Sequence, residues 1–179
     1  MATEELALSI LTRPNPRDGD FERIMGHHER MVVSTAYRLL GRIEDAQDAA
    51  QEVFLRLLKN LTRIEGDPKP WLYRVTVNIC NDRYRRRVIT TEPDAQFLTG
   101  LADPAPDAER VLAMDDRKRL LMAGLETLSK RERAAVVLRD IEGLSTREVA
   151  GILGIEEVTV RSQISVARVK LAKYVRSRT

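Results

Sequence analysis

The stretch that decides the fold runs from Ser129 to Leu171 and reads SKRERAAVVLRDIEGLSTREVAGILGIEEVTVRSQISVARVKL. It opens on Ser129-Lys130-Arg131-Glu132, a serine with a glutamate three residues on. That spacing is a capping box, in which the two side chains satisfy N–H groups left over at a helix start. Ala135, Val136, Leu138 and Ile141 follow at near-helical spacing, and Gly143 can end the helix in left-handed backbone. Ser145-Thr146-Arg147-Glu148 repeats the box, and Val149, Ala150 and Leu153 form a short apolar face that stops at Gly154. Gly154-Ile155-Glu156 leads into a longer helix with Val160, Ile164, Ala167 and Leu171 on one face. Two helices joined by a glycine-containing turn of that length form a helix-turn-helix, whose second helix is a candidate for the DNA major groove. A plain helical hairpin is the bland alternative, which the doubled capping boxes disfavour.

The outward side of that second helix carries Val158, Arg161, Ser162, Ser165, Val166 and Val169. An arginine there can donate bidentately to a guanine edge, and a serine can reach a base or a phosphate. Arg168, Lys170, Lys173, Arg176 and Arg178 extend the basic character and suit backbone positioning.

Upstream the chain is helical as well. Phe21, Ile24, Met25, His28, Met31, Val32 and Ala36 predict a helix from Phe21 to Gly41. Ala46, Ala49, Ala50, Val53, Phe54, Leu57, Leu58 and Leu61 predict a second, with one apolar face over four turns and Asp45, Asp48, Gln51, Glu52 and Arg56 opposite. Leu55 interrupts that polar side and hints at a partner. After a loop holding Gly66, Pro68 and Pro70, a third helix runs from Trp71 to about Arg87, with Leu72, Val75 and Ile79 inward. Residues 90–107 are acidic and contain four Pro or Gly, which reads as a flexible linker. Val111, Leu112, Leu120, Leu121, Leu125 and Leu128 are the expected first core residues of a second helical domain. No alternating strand pattern of useful length appears. The expected fold is therefore all-α: an arm at 1–20, a helical domain at 21–90, a linker at 91–107 and a helix-turn-helix domain at 108–179.

Net charge is only +3 over 179 residues, so its distribution says more than its sum. The third helix gathers Arg74, Arg83, Arg85, Arg86 and Arg87 against Asp82, and the linker after it is acidic. Arg85 to Arg87 can be a solvated helix end complementing the dipole. Beside Trp71, Asn78 and Asn81 they look more like a surface for opened DNA, with amides for base edges, an aromatic to stack and cations for phosphates. Trp71 has an equally good reading as a core plug. The lone Cys80 excludes an intrachain disulfide and a multi-Cys zinc site. It reads as a packing residue. His27 and His28 are adjacent, so on a helix they point about 100° apart and cannot share one metal. No catalytic residues, metal ligands or cofactor loop are expected, so the chain does not read as an enzyme. No apolar run approaches a membrane span and no signal peptide is seen, so a cytoplasmic protein without membrane insertion is expected.

Three blocks together resemble the extracytoplasmic-function class of bacterial sigma factors. They are Asp45 to Leu57 (DAQDAAQEVFLRL), the helix from Pro70 through Arg74, Asn78 and Asp82 to Arg87, and the segment from Leu125 to Ser162. The resemblance covers about residues 21–90 and 107–175. It implies a first domain that binds core RNA polymerase and reads a melted −10 element, and a second that reads a double-stranded −35 element. It implies polymerase contacts at Asp45, Asp48, Gln51, Glu52 and Phe54. The loop from Ile64 to Lys69 with Trp71, Arg74, Asn78 and Asp82 would melt DNA and capture a −10 base, and Arg83, Arg85, Arg86 and Arg87 would hold phosphates. Arg161, Ser162, Gln163, Ser165, Val166 and Arg168 would meet the −35 element. The family usually has arginine where this chain has Gln163 and Val166, and often a small residue in place of Glu157. An anti-sigma protein is a further implied partner. The rival functions are a stand-alone helix-turn-helix regulator, with residues 21–90 for dimerisation or sensing, and an interaction protein that sequesters polymerase or a regulator without reading DNA.

Overall fold

The computed structural model describes residues 16–90 and 116–178, with side chains from residue 19 to 86 and from 116 to 178. The linker at 91–107 and the expected core residues Val111 and Leu112 fall outside these. Every regular element among the described residues is helical: α1 (Pro16–Leu40), α2 (Ile43–Asn60), α3 (Lys69–Thr90), α4 (Asp116–Glu126), α5 (Lys130–Val136), α6 (Thr146–Leu153) and α7 (Glu157–Arg176). A single 3-10 turn, Leu61–Arg63, closes α2, and α5 runs on into a π turn at Val137–Ile141.

The first half is a three-helix unit built on α2. Ala46, Ala49, Ala50, Val53, Phe54 and Leu57 are all buried, at the three-and-four spacing that puts them on one stripe. Three alanines in that stripe let neighbouring helices approach closely, while Val53, Phe54 and Leu57 supply roughly 1.5–3 kcal/mol each on burial. Leu58, expected on this face, is instead 48% exposed. Leu58 follows buried Phe54 by four residues on the same side, so the periodicity is kept and it is the cover over the last turn of α2 that ends. Gly41 reverses the chain between α1 and α2 at φ 82°, its N–H donating to the Tyr37 carbonyl at 2.8 Å. Helix α1 begins at Pro16, ahead of the expected start at Phe21, because a proline is well tolerated in a first helical turn.

In the second half both capping boxes form. Ser129 and Ser145 accept from the N–H of Glu132 and Glu148, and each glutamate accepts the serine's own N–H, at 2.9 and 2.7 Å. Gly154 ends α6 in left-handed backbone at φ 66°. The α4 helix meets α7 at Gly124, where an added Cβ would lie 3.0 Å from Leu171 Cδ2. Leu125 and Leu128 are buried as expected, but Leu121 is exposed. It lies one turn before the Gly124 crossing, short of the surface that covers the helix.

The halves pack on each other. Helix α3 touches α6, and α1 touches α4, α5 and the π turn. Glu142, just past the π turn, sits at this seam. Its carboxylate accepts from Arg38 Nη1 at 2.6 Å, Tyr73 Oη at 2.9 Å and Thr35 Oγ1 at 3.0 Å. Arg133 Nη1 donates to the Leu39 carbonyl at 3.0 Å, and the Lys130 ammonium lies 3.6 Å from the Tyr84 ring centroid.

Candidate nucleic-acid interface

Helix α3 presents a buried and an exposed side, and the exposed side carries the expected residues. Leu72, Tyr73, Val75, Thr76, Val77, Ile79 and Cys80 are buried; Arg74, Asn78, Asn81, Arg85 and Arg86 are exposed. Asp67 Oδ1 accepts the Lys69 N–H at 2.9 Å and the Pro68 carbonyl accepts the Leu72 N–H, which fixes where the helix begins. Trp71 is half-buried and packs against the core, leaving part of the ring at the surface. Asn78, Asn81 and Arg85 line one wall of a cleft of about 600 Å³ whose other wall includes Lys130 and Arg131 of the second half.

The cations on α3 are not equally available. Arg83 turns toward α2, with Nη1 3.7 Å from Asp48 and Nη2 3.9 Å from Glu52, and its Nε is enclosed without a partner. Arg85 pairs with Asp82 one turn back. Arg74 donates to the Gly151 carbonyl of α6 at 3.2 Å. The side chain of Arg87 lies outside the described residues.

On α2 the acids face outward. Asp48 is 64% exposed, Gln51 is exposed, and Glu52 is half-buried and bonded to Arg56 at 2.6 Å. Asp45 lies at the helix start, 4.0 Å from Arg42. Leu55 and Leu58 add exposed apolar area along the same helix. Phe54, implied as a polymerase contact, is 7% exposed and belongs to the core. It lies on the stripe between Ala50 and Leu57, and the periodicity that makes α2 amphipathic already places it inside.

On α7 the buried side is Val160, Ile164 and Ala167. Val158, Arg161, Ser162, Ser165, Val166, Arg168 and Val169 are exposed, which makes a continuous outward strip available to a groove. Gln163 is half-buried and its Oε1 is enclosed without a partner. It stands three residues after Val160 and four before Ala167, at the edge of the buried side. Arg161 Nη2 bonds Glu157 Oε2 at 2.9 Å, so the acid that breaks the pattern acts on the central arginine. Arg168 makes a two-pronged bond to Asp140, at 2.9 and 2.7 Å, and Lys170 bonds Glu132. Both pairs are invisible in sequence, because their partners lie 28 and 38 residues away.

Among the described residues no group of three His, Cys, Asp or Glu gathers to hold a metal, and no helix is long and apolar enough to cross a membrane. His27 and His28 meet edge to face with ring centroids 4.9 Å apart. Partial burial, then the neighbouring His27, lowers the pKa of His28. Burial pushes the Cys80 thiol up to about 12, which makes it a poor nucleophile at neutral pH.

Residues 24–88 match the model of Sigma-70 region 2, and residues 118–171 match Sigma-70, region 4. SigM of Mycobacterium tuberculosis, an ECF RNA polymerase sigma factor, is 33% identical over 156 residues, covering 86% of this chain and 76% of that protein. The chain belongs to the ECF RNA polymerase sigma factors. SigE of Mycolicibacterium smegmatis is 35% identical over the same share of this sigma factor, which spans 61% of SigE's length. The sigma factor RpoE of Bartonella quintana, solved with the anti-sigma factor NepR, is 21% identical and shares the fold at a TM-score of 0.70, over 88% of this chain and 97% of RpoE.

Proposed function

We propose that this chain is a dissociable initiation factor that binds core RNA polymerase through α2 and directs it to promoters. The observation that carries this reading is the division of labour in the fold. One half exposes acids and leucines on α2 and amides and arginines on α3, while the other exposes a helix-turn-helix strip on α7. The first surface suits a basic protein partner and an unwound strand; the second suits a duplex groove. In this reading Asp45, Asp48, Gln51 and Glu52 meet polymerase, with Leu55 and Leu58 adding apolar contact. Trp71, Arg74, Asn78 and Asp82 serve a melted −10 element, and Arg85, Arg86 and Arg87 hold its phosphates. Arg161, Ser162, Ser165 and Val166 face the −35 element. Residues 21–90 and 108–179 act as the two reading domains, tethered by 91–107. The factor performs no covalent chemistry and acts in the cytoplasm, where polymerase and promoter are. An anti-sigma protein is a fitting partner, as NepR is for RpoE.

The test is reconstitution. Purified protein with core polymerase gives discrete transcript starts on fragments of its source genome, and Asp48→Arg abolishes co-purification with polymerase while the far-ultraviolet circular dichroism stays helical. Tight operator binding without polymerase, together with normal co-purification of Asp48→Arg, would replace this reading with a stand-alone regulator.

A further inference from the structure

We infer that α7 selects its duplex by thymine methyl groups, with Val158, Val166 and Val169 as the specificity residues; this rests on, and deepens, the proposed reading of α7 as the −35 reader. The major groove offers one apolar group, the C5-methyl of thymine, set among hydrogen-bond donors and acceptors. The valines of α7 are set in the same way. Val158, Val166 and Val169 are 61%, 42% and 67% exposed, whereas Val160 on the opposite side is wholly buried. Exposed valines add nothing to the core, and their branched side chains lower helix propensity, so folding does not account for them. Val158, Ser162, Ser165 and Val169 follow one another at steps of four, three and four residues, which puts them on one line along the helix. The two valines of that line stand about 16 Å apart along the axis. Two hydroxyls lie between them, so they do not merge into the continuous apolar patch that a protein partner covers. The same distance is about five base-pair steps at 3.4 Å each, which suits separate methyl groups along a groove.

The charges of α7 leave the choice of base to these side chains. A guanine edge calls for a bidentate donor. Arg161 is engaged by Glu157 at 2.9 Å, Arg168 gives both prongs to Asp140, and Lys170 bonds Glu132. Lys173 and Arg176 are exposed four and seven residues beyond Val169, on the same side of the helix. They give that side the charge a polyanion requires, and phosphate contacts of this kind position a duplex without reading its sequence. Thymine asks only for apolar contact, and it is the base that this strip of valines and serines fits.

The experiment combines the full chain with core RNA polymerase and selects promoters from a library randomised across the −35 window. Thymine is enriched at the positions that face the valines. Replacing an enriched thymine with deoxyuridine removes only the methyl group and weakens binding about fourfold per site, the fold-change of one buried methylene. Val158→Ala, Val166→Ala and Val169→Ala each erase the thymine preference at one position and keep it at the others. All three side chains are exposed, so the variants fold, which far-ultraviolet circular dichroism checks. The same duplexes are titrated with the full chain alone, which gives a readout that needs no initiation. A selected window without enriched thymine, equal binding of thymine and deoxyuridine duplexes, or the same preference in the wild type and all three variants overturns the inference. Weaker retention of the variants on polymerase with unchanged base preference assigns the valines to a protein contact and overturns it as well. Thymine preference in the chain alone, with no initiation from any template in the presence of polymerase, keeps the inference and removes the reading of function.

Discussion

At the scale of single residues, the contrast between Arg161 and Cys80 shows how position sets what a side chain can do. Arg161 projects from α7 where a groove would lie, yet Glu157, one turn back, holds its guanidinium at 2.9 Å. The pair is exposed, so its own stabilising effect is small. In the proposed −35 role of Arg161 the effect on DNA binding is larger, because the acid both occupies the donor and repels phosphate. Glu157→Gln is therefore expected to tighten binding to a −35 duplex severalfold at low salt and to steepen the salt dependence by about one unit of slope. A titration at two salt concentrations checks this, and an unchanged affinity would mean the pair opens freely on binding. Cys80 is the opposite case. The folded protein keeps its proton up to about pH 12, whereas an unperturbed thiol loses it at 9.0. The unfolded chain therefore ionises first, so this contribution to stability is complete below pH 9 and declines as the pH climbs from 9 toward 12. The denaturant midpoint should fall with pH above 9, less steeply in Cys80→Ala. Parallel slopes in the two proteins would assign the loss to other groups.

At the scale of elements, the capping boxes are legible because they are local. A serine and a glutamate three residues apart meet through backbone geometry alone, whatever the rest of the chain does. Gly154 is legible for the same reason, since only a residue at ease with positive φ ends a helix so abruptly. Ser145→Ala should cost about 1 kcal/mol of stability, read as a lower denaturant midpoint with unchanged slope. A loss near zero would show that Glu148 alone secures the start of α6. Leu58 and Leu121 stand outside the core that their spacing predicts, because apolar spacing marks a stripe but not its edges. The neighbouring helices decide where the stripe ends, and no local rule contains them. Gln163 stands at the edge of the buried side of α7 for a related reason: the width of that side is set by the elements beneath it.

At the scale of the whole molecule, the seam between halves contains a polar cluster. Arg38, Thr35 and Tyr73 on one side meet Glu142 on the other. Burial and the adjacent carboxylate raise the pKa of the Tyr73 phenol, so it remains a donor at physiological pH. Removing that one hydroxyl in Tyr73→Phe should lower unfolding stability by about 1.5–3 kcal/mol, the range for a hydrogen bond to a charged group. Equilibrium denaturation measures it. An effect within error would mean the halves are already apart in solution.

The sequence alone determined the helices, their caps, the glycine stops and the sides on which Asn78, Asp48 and Arg161 stand, because each depends on interactions within a few residues along the chain. The tertiary structure decided which charges are spent. Arg83 on Asp48 and Glu52, Arg168 on Asp140, Lys170 on Glu132 and the three donors on Glu142 all join residues far apart in the chain. Coulombic and hydrogen-bonding partners are chosen by distance in space, and only packing the helices together brings such distant residues within reach.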